Sequence, residues 1–281
     1  MVTIEHKTIL FPTDFSPVSN HALNFAIDIC IKENSKLLLL NVVDTPFSLI
    51  TGEEALEIEL ITKDLLYFSN SNLENLKNEI IKKHDIKVEI VTYRGDTTSA
   101  ISRAVVNYNA NKIVMGTKTD KDLFFKTTSY IIVKNTSIPL LTISLNSKST
   151  NFKTILFPFN EKFSTLKKAD EVISFAKLYK SKVVLLGISE ADTSEKIHII
   201  TNNMMQMKAV FDDNNIPCEM HFNSNNNYSQ AILDYCKNNQ IELITIANNL
   251  ANVLKETMNV NPAKNIINKA EAPVLTIPVR D

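Results

Sequence analysis

The sequence is poor in glycine. Gly52, Gly95, Gly116 and Gly187 are the four glycines of a 281-residue chain, where average usage near 7% would supply roughly 20. A glycine-rich phosphate loop has little to draw on, and neither a P-loop nor a G-x-S-x-G elbow is present. Cysteine is scarce too. Cys30, Cys218 and Cys236 are odd in number and far apart, without CxxC or His/Cys metal spacing. This excludes a disulfide framework and a zinc site and points to free, buried thiols in a reducing compartment. Five histidines, His6, His21, His84, His198 and His221, are scattered and lack metal spacing. Charge of one sign is missing as well. A net charge of −1 argues against nucleic acid, whose phosphates need a clear excess of Lys and Arg. No apolar run is long enough to span a bilayer, and MVTIEHKTILFP lacks the apolar stretch of a secretory signal. The expectation is a cytoplasmic protein with no membrane partner. What is present is 44% hydrophobic residues, enough for a core and too many for a disordered chain.

An internal repeat organises that material. Lys7-Thr8-Ile9-Leu10-Phe11-Pro12 recurs letter for letter from Lys153 to Pro158. Ser35-Lys36-Leu37-Leu38-Leu39-Leu40 returns as Ser181-Lys182-Val183-Val184-Leu185-Leu186, and Ile138-Pro139-Leu140-Leu141-Thr142-Ile143 as Ala272-Pro273-Val274-Leu275-Thr276-Ile277. The period is too long for a solenoid and fits a duplicated domain. The polar stretch Asn146 to Asn151 makes the joint, placed near residue 148, so that the halves are 1–147 and 148–281.

Within each half, short apolar runs alternate with helical patterns. The expected strands are 8–12, 36–43, 87–93, 112–116 and 139–144, then 154–158, 182–188, 217–222, 241–246 and 273–278. Ala22, Phe25, Ala26 and Ile29 form one helical stripe; Ala100, Ile101, Ala104 and Val105 form another. Residues 53–84 read as one long helix, and Met204-Met205-Gln206-Met207 as a buried helical face. Strand–helix alternation predicts an α/β fold, two domains each with a five-stranded parallel sheet flanked by helices. Ligands of such sheets bind beyond the carboxyl ends of the strands, which directs attention to Thr13-Asp14-Phe15-Ser16, Val42-Val43-Asp44, Arg94-Gly95-Asp96 and Gly116-Thr117-Lys118-Thr119.

These residues resemble the universal stress protein family in its tandem, two-domain form. The resemblance rests on Ile9-Leu10-Phe11-Pro12-Thr13-Asp14-Phe15-Ser16, Leu38-Leu39-Leu40-Asn41-Val42-Val43-Asp44, Tyr93-Arg94-Gly95-Asp96, Ile113-Val114-Met115-Gly116-Thr117 and Ser137-Ile138-Pro139-Leu140-Leu141-Thr142-Ile143, in order over nearly the whole chain. It implies an adenine-nucleotide site, for ATP, ADP or AMP, with Mg where a triphosphate binds. Its candidate nucleotide-binding residues are Pro12, Thr13, Asp14, Val42, Met115, Gly116, Thr117, Thr119, Thr127 and Thr128. Asp14 matches the family's adenosine-holding aspartate, Val42 its adenine contact, Gly116 the first glycine of the G-x2-G-x9-G-[ST] phosphate loop, and Thr127 its final hydroxyl. The chain departs from that loop: Thr119 and Lys126 stand at the second and third glycine positions, and the loop is about three residues short. Backbone amides approach a phosphate closely only where side chains allow it, so triphosphate binding should be weakened or lost.

The bland readings stand beside these. Asp14 is equally an N-cap or Asx-turn residue entering the first helix, the threonines equally line a solvated loop, and Gly95 answers a turn that needs positive φ. In the second half Asn160 replaces the aspartate, and Ala247, Leu250 and Val260 replace the glycines, so that half is expected to be structural. The family's habit of pairing last strands implies an intramolecular pseudo-dimer through 139–144 and 273–278, with a homodimer as a further assembly. The region 45–70, with Phe47, Leu49, Ile50, Leu56, Ile58 and Leu60, reads as core helix or as a lid or dimer contact. The expected function is a stress-response or signalling module, not an enzyme, with at most a weakened nucleotide site and an unidentified protein partner. The alternatives are a nucleotide-free interaction scaffold and a slow ATPase, the latter lacking a preorganised phosphate site.

Overall fold

A computed structural model describes residues 7–44, 53–117, 128–160, 169–189, 194–225, 227–248 and 262–278. The chain divides into two compact units, Met1–Gly116 and Thr117–Asp281.

In the first unit, β1 (Thr8–Pro12), β2 (Lys36–Val43), β3 (Val88–Arg94) and β4 (Ala110–Gly116) are parallel and lie in the order β3-β2-β1-β4. The connecting helices are α1 (Pro17–Glu33), α2 (Glu53–Lys83) and α3 (Thr97–Asn107). Ile9, Leu10 and Phe11 of β1 and Leu37 to Leu40 of β2 are fully buried, which is why these strands read as unbroken apolar runs. Each such side chain contributes about 2 kcal/mol relative to exposure. The predicted stripe of α1 faces this core, with Ala22, Phe25, Ala26 and Ile29 at most 2% exposed. At the other end of α1, Glu33 meets Lys112 of β4 at 2.7 Å, a buried pair in which neither charge is left alone.

The second unit holds α4 (Thr128–Asn135), β5 (Leu140–Ile143), β6 (Thr154–Phe159), α5 (Ala169–Tyr179), β7 (Lys182–Ser189), α6 (Ser194–Asp213), β8 (Cys218–Ser224), α7 (Tyr228–Asn238), β9 (Leu243–Asn248), α8 (Pro262–Lys269) and β10 (Val274–Pro278). Its strands run β5-β10-β9-β6-β7-β8. All neighbours are parallel except β5 and β10, which pair antiparallel through Thr142↔Val274, Leu141↔Leu275 and Leu140↔Thr276. These are the segments expected to pair. Through them the last strand of the first repeat is held by the second, so the compact units divide at 116/117 and the sequence repeat near 148.

The duplication extends to surface detail. Lys36 of β2 bridges Glu89 of β3 at 3.0 Å, and Lys182 of β7 bridges Glu219 of β8 at 3.3 Å. Every expected strand is found within two residues of its place, and the long helix ends one residue early. In α6, Met204 and Met207 are buried as expected, whereas Met205 is 57% exposed. The first half of α2 turns Thr62 and Ser69 inward and Leu60, Ile61, Leu65, Tyr67 and Phe68 outward. The reading of region 45–70 as core helix is thus corrected at Leu60; Ile58 is half-buried, the side chain of Leu56 is not described, and Phe47, Leu49 and Ile50 lie outside the described residues.

Five helix-to-strand turns share a device. Asn34, Asn109, Lys180, Asn215 and Gln240, each between a helix and the next strand, take φ of 47° to 57°. This is the left-handed region that glycine usually fills. Gly95, at φ 113°, is where a glycine does serve a turn, as its place before α3 suggested.

Candidate functional site

The chain winds from β1 to β2 to β3, then returns to the other side of β1 for β4. The strand order therefore reverses between β1 and β4, and their carboxyl ends form the crevice where such sheets bind ligands. Pairing of Leu10 with Ile113 brings Pro12 and Met115 to the same level. Thr13 and Asp14 follow one strand, and Gly116 ends the other.

Thr13 is the hub of this corner. Its N–H donates to the Leu40 carbonyl at 2.8 Å, and its carbonyl accepts from Asn41 Nδ2 at 2.7 Å. Its buried Oγ1 accepts from the Phe15 N–H at 3.0 Å and from Ser19 Oγ at 2.9 Å. Asp14 is exposed, and its Oδ1 accepts from the Ser16 N–H at 3.0 Å. That is an Asx turn. The N-cap of α1 is Ser16, whose side chain accepts from the Ser19 N–H at 3.3 Å. Between them Phe15 sits at φ 58°, a strained conformation for a bulky residue.

Gly116 has a packing reason of its own. A Cβ there would lie 2.9 Å from the Val18 carbonyl oxygen and 3.1 Å from the Ser19 nitrogen, so the first turn of α1 approaches too closely for any side chain. Val42 is half-buried and Met115 is 8% exposed. Thr117, in the second unit, is buried and donates its N–H to the Ile143 carbonyl at 2.8 Å. Its Oγ1 has no hydrogen-bond partner among the described residues. Thr128 begins α4, while Thr119 and Thr127 lie outside the described residues.

Sequence reasoning missed Asn41 and Ser19. Asn41 fixes Thr13 from β2 and also accepts from Ser69 Oγ of α2 at 2.7 Å. Ser69 in turn meets Thr92 Oγ1 of β3 at 3.0 Å. One amide within the apolar run Leu37-Leu38-Leu39-Leu40-Asn41-Val42-Val43 was the available signal.

The chemistry of the corner follows. The amides of Phe15, Ser16 and Ser19 are engaged by side chains of the same turn, so that turn does not present a cluster of free N–H groups to a phosphate. Asp14 Oδ2 has no partner among the described residues and can accept from a ligand hydroxyl or amine. Among the described residues no three His, Cys, Asp or Glu side chains could hold a metal ion. All three cysteines are free. Burial pushes the Cys218 thiol up to about 11 and the Cys236 thiol to about 12, and raises that of Cys30 further. These are thiols, not nucleophilic thiolates. No helix among the described residues is long and apolar enough to cross a membrane.

Comparison with known proteins bears on the fold. The profile of the Universal stress protein family matches residues 5–144. Among solved structures, a universal stress protein from Archaeoglobus fulgidus DSM 4304 superimposes with a TM-score of 0.71 at 18% identity, covering 98% of this chain and 97% of that one. A putative universal stress protein from Pseudomonas aeruginosa UCBPP-PA14 gives 0.63 at 12% identity, covering 98% and 94%. Both match across the two repeats and extend the shared fold to the second. A search of curated proteins finds no match.

Proposed function

This chain belongs to the universal stress protein family through residues 5–144, and on that premise we propose that it is a non-catalytic, cytoplasmic stress-response module whose first repeat binds adenosine or AMP weakly. The observation that supports this is Asp14, exposed at the switch point with Oδ1 engaged by Ser16 and Oδ2 open to a ribose hydroxyl. Val42, half-buried beyond the end of β1, offers an apolar edge for a base. The phosphate side is poor. The amides of the β1–α1 turn are already engaged, and Thr119 and Lys126 stand where the family's loop has glycines. ATP should therefore gain nothing over AMP, and Mg nothing over its absence. The second repeat, with Asn160 in place of the aspartate, serves as the structural partner, an intramolecular pseudo-dimer joined through β5 and β10.

Thermal-shift titration of the purified full-length chain with AMP and ATP tests this, together with mass spectrometry of the denatured protein for carried-over nucleotide. AMP should raise the melting temperature. Asp14→Asn, which keeps an acceptor for Ser16 but loses the charge, should weaken binding by about 10- to 100-fold, the worth of a charged hydrogen bond. Stoichiometric ATP in the purified protein would overturn the weakened site. Indifference of wild type and variant to both nucleotides would favour the second reading, a nucleotide-free interaction scaffold. That reading draws on the same closed turn, in which Thr13, Asp14 and Gly116 each have a structural task.

A further inference from the structure

The second unit has a cleft at the amino ends of its strands. It lies where Lys153-Thr154, Ile241-Glu242 and Ala272-Pro273 lead into β6, β9 and β10. The last turns of α7 and α8 add Lys237 and Lys269 to its lining, and the joint between the repeats adds Lys148 and Ser149. Its volume is about 490 Å³, within the range of about 300–1,000 Å³ typical of small-molecule sites. Leu233, Ile241 and Pro273 are buried and give it an apolar side. Its charged lining is Lys148, Lys153, Lys237 and Lys269 against Glu242 and Glu271. Two of these are already engaged: Lys153 Nζ donates to the Tyr179 carbonyl at 2.7 Å, and Glu242 accepts from the Lys153 N–H. Lys148, Lys237 and Lys269 are exposed and have no ion-pair or hydrogen-bond partner among the described residues. Glu271, exposed as well, offsets one of their three charges.

We infer that this cleft binds a small phosphate ester, its phosphate held by Lys148, Lys237 and Lys269 and its uncharged body lying against Leu233, Ile241 and Pro273. The fold does not demand these charges. A basic group in a last turn offsets the helix dipole, yet α3, the counterpart of α7, has none there, and Val106 stands where Lys237 does. The matching cleft of the first repeat, about 660 Å³ beside Thr8 and Ala110, is lined by Lys7 and Lys36, and Lys36 is already bridged to Glu89. The free cations of the second cleft are all ammonium groups. These compact charges suit a phosphate, which carries about −1.5 to −2 near neutral pH, whereas a planar carboxylate is best met by the fork of an arginine. The charge is gathered in a cleft of ligand size and not drawn out in a stripe, which favours a small ester over a nucleic-acid backbone. Neutral donors stand beside it. Ser149 Oγ accepts from the Asn151 N–H at 3.0 Å and keeps its own hydrogen for a ligand. Gln240, kept at a φ of 47° where glycine would be unstrained, brings its amide to the lining. The cleft belongs to the other unit from Asp14, so the inference is independent of the adenosine site.

Titration of the isotope-labelled, full-length chain with phenyl phosphate, followed by backbone amide NMR, tests this. The signals of Lys148, Lys237, Gln240 and Lys269 should move and saturate, with inorganic phosphate binding more weakly because it lacks the body. The double variant Lys237→Gln/Lys269→Gln should raise the dissociation constant about tenfold, whereas Lys237→Arg/Lys269→Arg, which keeps both charges, should stay within about threefold of wild type. Lys82→Gln/Lys83→Gln removes the same charge from the exposed end of α2 and should change nothing. A chain whose spectrum phenyl phosphate leaves unaltered overturns the inference. So do shifts confined to residues 13–16 of the first repeat, equal losses in the two glutamine variants, or inorganic phosphate binding as tightly as the ester.

Discussion

Where a helix turns back into a strand, the residue after it must often adopt positive φ, and five such residues here are not glycine. Asn34, Asn109 and Asn215 bear this well, since asparagine tolerates the left-handed region. Lys180 and Gln240 do not share that tolerance, and each holds a strained backbone at φ 52° and 47°. Lys180→Gly should therefore raise stability by about 0.5–1 kcal/mol in urea unfolding, the relief of strain exceeding the added entropy of the unfolded chain. Asn34→Gly should gain only a few tenths. A destabilised Lys180→Gly protein would mean that the lysine earns its place through contacts of its side chain. The shortage of glycine was plain in the composition. That lysine and glutamine close helices here was not, because a left-handed turn leaves no mark on a residue that normally avoids it.

At the scale of elements, matching helices of the two repeats are capped by different chemistry. Asp96 accepts from the Ser99 N–H at 2.7 Å at the start of α3, and Asn227 accepts from the Gln230 N–H at 3.1 Å at the start of α7. The backbone hydrogen bond from Ser99 holds the Asp96 carboxyl below its ordinary range. Because the folded state lowers this pKa, the stabilisation is present above the unfolded carboxylate's pKa of about 4 and fades as pH falls through the folded value. Asp96→Ala should cost about 1 kcal/mol near neutral pH, with wild type and variant converging in acid, while Asp96→Asn keeps its cap throughout; urea melts across pH read all three. Most elements were legible because β1, β2, β6 and β7 are covered on both faces and their apolar runs are continuous. The orientation of α2 was not legible, since periodicity reveals a stripe but not which side the sheet covers. For the same reason Asp14 could be picked out, yet the tasks of Asn41 and Gly116 waited on how β2 and α1 lie against the loop.

Across the whole molecule, the duplicated halves meet where β5 and β10 exchange hydrogen bonds, and Leu275, fully buried, faces Leu141. Leu275→Ala should cost about 2–5 kcal/mol, and its effect should be shared. In hydrogen-exchange mass spectrometry the amides of Leu140–Ile143 should exchange at least about tenfold faster together with those of Val274–Pro278. Unchanged exchange in β5 would show that β10 does not hold it. The same pairing has a consequence in time. Thr142 and Val274 are 132 residues apart, so at roughly 5–20 residues per second of synthesis β5 leaves the ribosome on the order of ten seconds before its partner. For that interval its edge is open to any matching strand that reaches it, one from another copy of the chain included. Slowing synthesis between residues 143 and 274 should lengthen that interval and, with it, the chance that β5 pairs outside its own chain.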